Sequence, residues 1–283
     1  MRLVTFQTGK EKALVGILVG EQVFALDRDS FPDMNVFLAA GASALDQANS
    51  IEYGKEKASG TYRLADVTLL APVPRPSKII AVGLNYRDHA IETKLEIPQT
   101  PIIFAKFPSS ITGPDAPVVL PKDDPQADYE AELGVVIGRA AKGVSEADAM
   151  KYVAGYLPLN DISARRWQFA DKQWVRGKSP DTFCPTGPWL TTRDAVPDPH
   201  TLAILMRING TVMQNSNTSN LIFRIPTLVA FISAAITLEP GDIIATGTPD
   251  GVGVFRKPPV FLKSGDVMEV DIEGLGVLKN VVA

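Results

Sequence analysis

Apolar residues fall in short clusters separated by turn-formers, and few stretches keep helical spacing for long. Near the start, Leu3–Phe6, Ala13–Leu18 and Gln22–Ala25 have the length and β-branched content of strands. A helical stretch is expected from about Asn35 to Asn49. Further on, Lys78–Val82, Ile102–Ala105, Ala131–Ile137, Tyr152–Leu159, Leu202–Ile208 and Val267–Ile272 suit buried or half-buried strands. Asn209-Gly210 stands between two apolar runs, the strongest short hairpin signature, and Glu273 to Val277 reads as a second tight turn. Helices are expected at Tyr86–Lys94, Ser163–Ala170 and Pro226–Ile236, the last with proline in its first turn.

Between Ala71 and Pro76 prolines occupy every second position, which favours extended, unpaired backbone. This divides the chain into a small N-terminal α/β domain, residues 1–71, and a main domain, residues 72–283. The 22 glycines and 22 prolines fit many short strands joined by turns, so the predicted class is α+β with β dominant.

At 45% apolar and 21% charged residues the chain can build an ordinary core. A net charge of −4 with scattered basic residues argues against a nucleic-acid partner. No apolar run approaches the roughly 20 residues needed to span a bilayer. The single cysteine, Cys184, fits a reducing compartment and a small buried side chain, and the expected location is cytoplasmic.

Five segments could carry chemistry. In Asp128–Ile137 the sequence turns apolar after Glu132, so Glu130 and Glu132 share one face of a strand. Two adjacent carboxylates repel unless a cation lies between them, and oxygen ligands suit Mg²⁺, Mn²⁺ or Ca²⁺. The same spacing equally describes an exposed strand edge with solvated glutamates. Asp161, where a strand meets a helix, is either a third metal carboxylate or a helix cap. With no histidine or thiol nearby, zinc is disfavoured. His89 and Glu92 lie three apart on a helix, the arrangement of an imidazole base oriented by a carboxylate, or of a surface ion pair. Gly177-Lys178-Ser179 lacks the upstream glycine of a nucleotide loop, since position 172 is lysine, which leaves Lys178 as a cation for an anionic substrate or a solvated lysine. A glycine-rich turn, Ala245–Gly253, would allow close backbone approach to a ligand, or simply join strands.

The order of these segments is more specific than any one of them. N-Y-x-x-H-x-x-E, F-x-K-x-x-S, D-Y-E-x-E-L, N-D-x-S-x-R, G-K-S-x-D-x-F-x-P-x-G-P and T-G-T-P-x-G-V-G follow one another from Asn85 to Gly253. The series resembles the fumarylacetoacetate hydrolase superfamily over most of the main domain. The resemblance implies a mixed β-sandwich or roll, usually a homodimer, with Mg²⁺ or Mn²⁺ bound. By motif position it implies Glu130, Glu132 and Asp161 as metal ligands, His89 and Glu92 as the base dyad, and Lys178 as the lysine steadying substrate or oxyanion. Lys106 and Thr248 match positions near the substrate, and Arg165 and Gln168 a polar cluster around the metal. The leading expectation is hydrolysis of a C–C bond in an acylpyruvate-like 2,4-dioxo acid by a water that His89 activates. The alternatives are decarboxylation of oxaloacetate or a related 2-oxo diacid, isomerisation or hydration of an unsaturated 2-oxo acid, and a metal-stabilised dicarboxylate-binding module without turnover.

Overall fold

The computed structural model describes residues 1–283. Strand (33%) exceeds helix (24%), an α+β, β-dominant fold. One long sheet runs in the order Gly60–Arg63, Gln22–Ala25, Leu14–Val19, Arg2–Gln7, Leu190–Thr192, Val153–Asn160, Ala131–Ile137, Ile243–Ala245, Ile79–Gly83 and Ile102–Lys106. The strands that precede the proline run therefore belong to the same sheet as the rest, joined where Leu3 pairs with Leu190. A second sheet orders Thr211–Asn217, Ala203–Ile208, Val267–Ile272, Gly276–Val282 and Pro117–Val118.

The predicted strands form with boundaries shifted by a residue or two, and both predicted turns close hairpins. Asn209 and Gly210 both take positive φ, 50° and 77°, as the two-residue turn requires. The helix expected over 35–49 is instead two helices, Met34–Ala39 and Ala42–Glu52. Gly41 separates them at φ 64°, ψ −131°, a conformation that only glycine adopts readily. Asp33 caps the first helix through Val36 N–H at 2.9 Å. No helix is long and apolar enough to cross a membrane.

The strand Ala131–Ile137 is central, and all seven of its residues are buried. Leu133, Val135 and Ile137 pack with Ile204, Met206, Val270 and Ile272 of the second sheet. Val136 faces the other way, into a cluster with Leu157, Phe37 and Ala44 beneath the N-terminal helices. Glu132, even-numbered, shares the Val136 side by strand alternation. One face of one strand thus carries an apolar residue at one end and a carboxylate at the other. Gly134 lies between them because a Cβ there would sit 2.5 Å from Leu157 Cδ1. Cys184 belongs to the same apolar cluster, and burial pushes its thiol up to about 12, which makes it an inert core side chain.

Candidate active site

Where Ala131–Ile137 begins, the chain buries Asp128, Glu130 and Glu132. Asp161 arrives from the end of the paired strand Val153–Asn160, whose Asn160 is in register with Ala131. Asn160 Oδ1 accepts from Glu130 N–H at 3.0 Å, and Asp161 N–H donates to Glu130 C=O at 2.9 Å, so the two acidic segments are cross-braced. One ligand oxygen from each of Glu130, Glu132 and Asp161 lies within 4.8 Å of the others. The exposed-edge alternative for the glutamates is excluded, since they are 6% and 1% exposed. The helix-cap alternative for Asp161 also falls away. The following helix starts at Arg165 behind Ala164 and has no side-chain cap.

Three cations interleave with these acids. Lys178 Nζ lies 2.7 Å from both Glu130 Oε2 and Asp161 Oδ2. Arg165 Nη1 lies 2.7 Å from Glu130 Oε1, and its Nε donates to Asp128 Oδ2 at 2.9 Å. Gln168 Oε1 accepts from Arg165 at 2.9 Å. Lys106 is placed differently from the other polar residues of the site. Its ammonium is buried behind Asp161, donating to the carbonyls of Ile162 and Lys178, and it does not line the cleft.

A core leucine or valine contributes about 1.5–3 kcal/mol, whereas each buried ion costs several unless paired. Pairing is unequal among the carboxylates. Burial pushes Glu130 up, but Lys178 and Arg165 outweigh it and hold the group at about 2. Glu132 is pushed well up, first by burial and then by the charges of Asp161 and Glu130, with only Gly247 N–H as a close donor at 2.8 Å. Asp161 Oδ1 lies 2.6 Å from Lys106 Nζ but outside hydrogen-bonding geometry. With all four ionised, the buried carboxylates exceed the three buried cations by one negative charge. An all-oxygen donor set with a carboxylate that resists ionising and an under-satisfied oxygen fits a hard divalent cation. Glu130, Glu132 and Asp161 are the residues that would hold it.

His89 and Glu92 come from the helix Arg87–Thr93, and the expected pair forms, with Nδ1 2.9 Å from Glu92 Oε2. His89 lines one cleft with Glu130, Glu132, Lys178, Gln168 and Thr248. Phe104, Phe169, Trp174 and Phe255 form its apolar walls. Thr248 donates to Ala131 C=O at 2.9 Å and accepts from Gln214 Nε2 at 2.8 Å.

The glycine-rich turn serves the acids of the site. Gly247 N–H donates to Glu132, Gly251 N–H to Glu92 at 2.9 Å, and Gly253 N–H to Asp128 at 2.7 Å. A Cβ on Gly253 would lie 1.9 Å from Val260 C=O. Two contributors were not singled out from sequence. Asp128 anchors Arg165, and its i, i+2 parity with Glu130 was available as a signal. Gln214, from the second sheet, accepts from Ala131 N–H at 2.8 Å, and nothing in its local sequence marks it.

Residues 78–283 match the family described as fumarylacetoacetate (FAA) hydrolase, C-terminal. The Xenopus laevis protein named oxaloacetate tautomerase fahd2, mitochondrial, is 44% identical over 290 residues, covering 100% of this chain and 90% of its own. The structure of maleylpyruvate hydrolase from Sphingobium sp. SYK-6, in complex with manganese(II) and pyruvate, superposes with TM-score 0.82 at 34% identity, covering 100% of this chain and 99% of the other. That of 2-hydroxyhepta-2,4-diene-1,7-dioate isomerase from Mycobacterium marinum gives TM-score 0.80 at 35% identity, covering 100% and 98%. By the extent of the family match and the identity of its relatives, this chain belongs to the fumarylacetoacetate hydrolase family.

Proposed function

We propose that this protein is a divalent-metal-dependent enzyme that interconverts the keto and enol forms of oxaloacetate or a closely related 2-oxo diacid. The observation that carries the reading is one cleft lined by Glu130 and Glu132 of a buried carboxylate triad and by His89, whose ring is paired with Glu92. The name of the 44%-identical relative favours oxaloacetate chemistry over the C–C hydrolysis expected first.

A divalent cation, Mg²⁺ or Mn²⁺, would supply positive charge for the 1-carboxylate and 2-oxo oxygens and for the enolate that develops there. It would turn the surplus of one negative charge into one positive, which suits a dianion. Glu92 accepts a hydrogen bond from His89 Nδ1–H, which leaves Nε2 as the basic nitrogen. His89 removes a proton from C3, the C–H electron pair becomes the C2–C3 double bond, and the 2-oxo oxygen gains the charge and then the proton that His89 gives back, which returns the ring to its neutral form. The reverse sequence converts enol to ketone. Lys178, fixed between Glu130 and Asp161, adds fixed positive charge beside the developing enolate.

The test is stopped-flow enol–keto relaxation of oxaloacetate, run beside pyruvate release from oxaloacetate and cleavage of acetylpyruvate and fumarylpyruvate, each with Mg²⁺, Mn²⁺ or EDTA. Accelerated relaxation abolished by EDTA is expected. Turnover of acylpyruvates alone would restore the hydrolase reading, in which His89 activates water, and pyruvate release alone would make the protein a decarboxylase. Asp161→Asn should weaken Mg²⁺ binding by more than about tenfold in calorimetry, and wild-type affinity would remove Asp161 from the ligand set. We carry the homodimer forward as part of this reading, to be checked by sedimentation. The cytoplasmic expectation rests on sequence alone, whereas the Xenopus relative is named mitochondrial, and fractionation of the native host decides between them.

A further inference from the structure

We infer that Arg256, acting through Gly251, is a positioning residue for the His89–Glu92 base. Gly251 is gripped at both ends. Its N–H donates to Glu92 Oε1 at 2.9 Å, and its C=O accepts from Arg256 Nε and from Tyr129 Oη, each at 3.2 Å. Arg256 also donates through Nη2 to the Met213 carbonyl, so its planar fork ties the turn to the strand Thr211–Asn217 of the second sheet. Glu92 has two oxygens and spends one on Gly251 and the other on His89 Nδ1. The direction of the imidazole is therefore set by a relay from Arg256 to Gly251 to Glu92 to His89.

Two further features point the same way. Gly251 has φ 95°, and a Cβ there would lie 2.2 Å from Met213 C=O, so the turn is shaped to sit close against the strand that Arg256 grips. The preceding residue, Phe255, places its ring 6.0 Å from the His89 ring at a 56° tilt. Adjacent residues thus do complementary work, Phe255 against the imidazole and Arg256 on the carbonyl of the glycine whose N–H holds the imidazole's partner. Arg256 touches neither the carboxylate triad nor the cleft. Its role is to hold geometry, and displacement of a catalytic group by about 1 Å can cost roughly 100-fold in rate.

The catalytic part of this inference rests on the proposed keto–enol reaction, and the test separates the two. In Arg256→Gln, kcat should fall roughly 10- to 100-fold with KM and Mg²⁺ affinity nearly unchanged, and Arg256→Lys should recover only part, because an ammonium cannot span two carbonyls as a fork does. In a Glu92→Gln background the same substitution should add almost nothing, and an additive loss would overturn the relay. The second readout needs no turnover. The chain has two histidines, so ¹⁵N spectra of the Mg²⁺-loaded protein resolve the His89 ring directly. Wild type should show hydrogen held at Nδ1, and Arg256→Gln a mixture of tautomers. If that signature does not change in a folded Arg256→Gln protein, the relay is wrong whatever the substrate proves to be. If it changes while oxaloacetate is not turned over, the relay stands and the reaction assigned above is wrong.

Discussion

The chain's two histidines are built alike and used differently. Both side chains are nearly enclosed, 12% exposed for His89 and 11% for His200. In both, Nδ1 meets a carboxylate, Glu92 at 2.9 Å and Asp198 at 3.2 Å. The difference lies at the second ring nitrogen. His200 Nε2 accepts from Ile225 N–H at 3.2 Å and so closes the start of the helix Ile225–Ala235, which has no other side-chain cap. His89 Nε2 is left to a cleft it shares with the buried carboxylates Glu130 and Glu132. A His–carboxylate pair is thus not a catalytic signature in itself. What the remaining nitrogen faces separates the ring that caps a helix from the one proposed above as the base.

Three measurements would break or sharpen this contrast. The largest effect is expected at His89. His89→Gln should reduce oxaloacetate enol–keto turnover by about 10²–10⁴-fold while leaving melting temperature and Mg²⁺ affinity near wild type; retained turnover would end its assignment as the base. At His200 the loss should appear in stability instead. His200→Ala removes the acceptor for Ile225 N–H and should cost about 1 kcal/mol in urea unfolding, with kcat unchanged. A rate defect without a stability defect there would erase the contrast.

The smallest effect is pH-dependent. Burial lowers the His200 pKa from 6.5, with Asp198 opposing. Protonation would place a hydrogen on Nε2 facing the Ile225 N–H, so the folded state favours the neutral ring. The unfolded chain then binds the proton more readily. The stability contributed by neutral His200 is complete above about 6.5 and is lost as pH falls through the lower folded value. Between pH 7.5 and 5.5 wild type should lose more unfolding free energy than His200→Ala. Equal losses would show that the ring's protonation is not linked to folding.

Local pattern carried a good deal of this architecture. Ala131–Ile137 read correctly as a strand from a short run rich in apolar and β-branched residues, and Val267–Ile272 from its apolar–polar alternation, which leaves every second residue buried. The turn at Asn209-Gly210 was legible because few residues tolerate two successive positive φ values. Glu130 and Glu132 could be placed side by side by the two-residue period of a strand, and His89 and Glu92 by the pitch of a helix. The break at Gly41 was missed because a lone glycine inside a helical pattern is often tolerated, and its conformation follows from how two helices pack on the sheet. Spacing also could not choose between an exposed pair of glutamates and a buried one.

By itself, then, the sequence determined the local periods, the turns and the ordered set of chemical groups, because these depend on neighbours within a few residues. Only the tertiary structure decided which groups meet. It brought Asp161 across from a paired strand, placed Lys106 behind that carboxylate instead of in the cleft, and turned the glycine-rich segment onto Glu132, Glu92 and Asp128. It also joined the N-terminal strands to the long sheet through Leu3 and Leu190, a contact across the length of the domain. The physical reason is that burial and charge pairing are properties of three-dimensional proximity, and residues far apart in the chain carry no local mark of the partner they will meet.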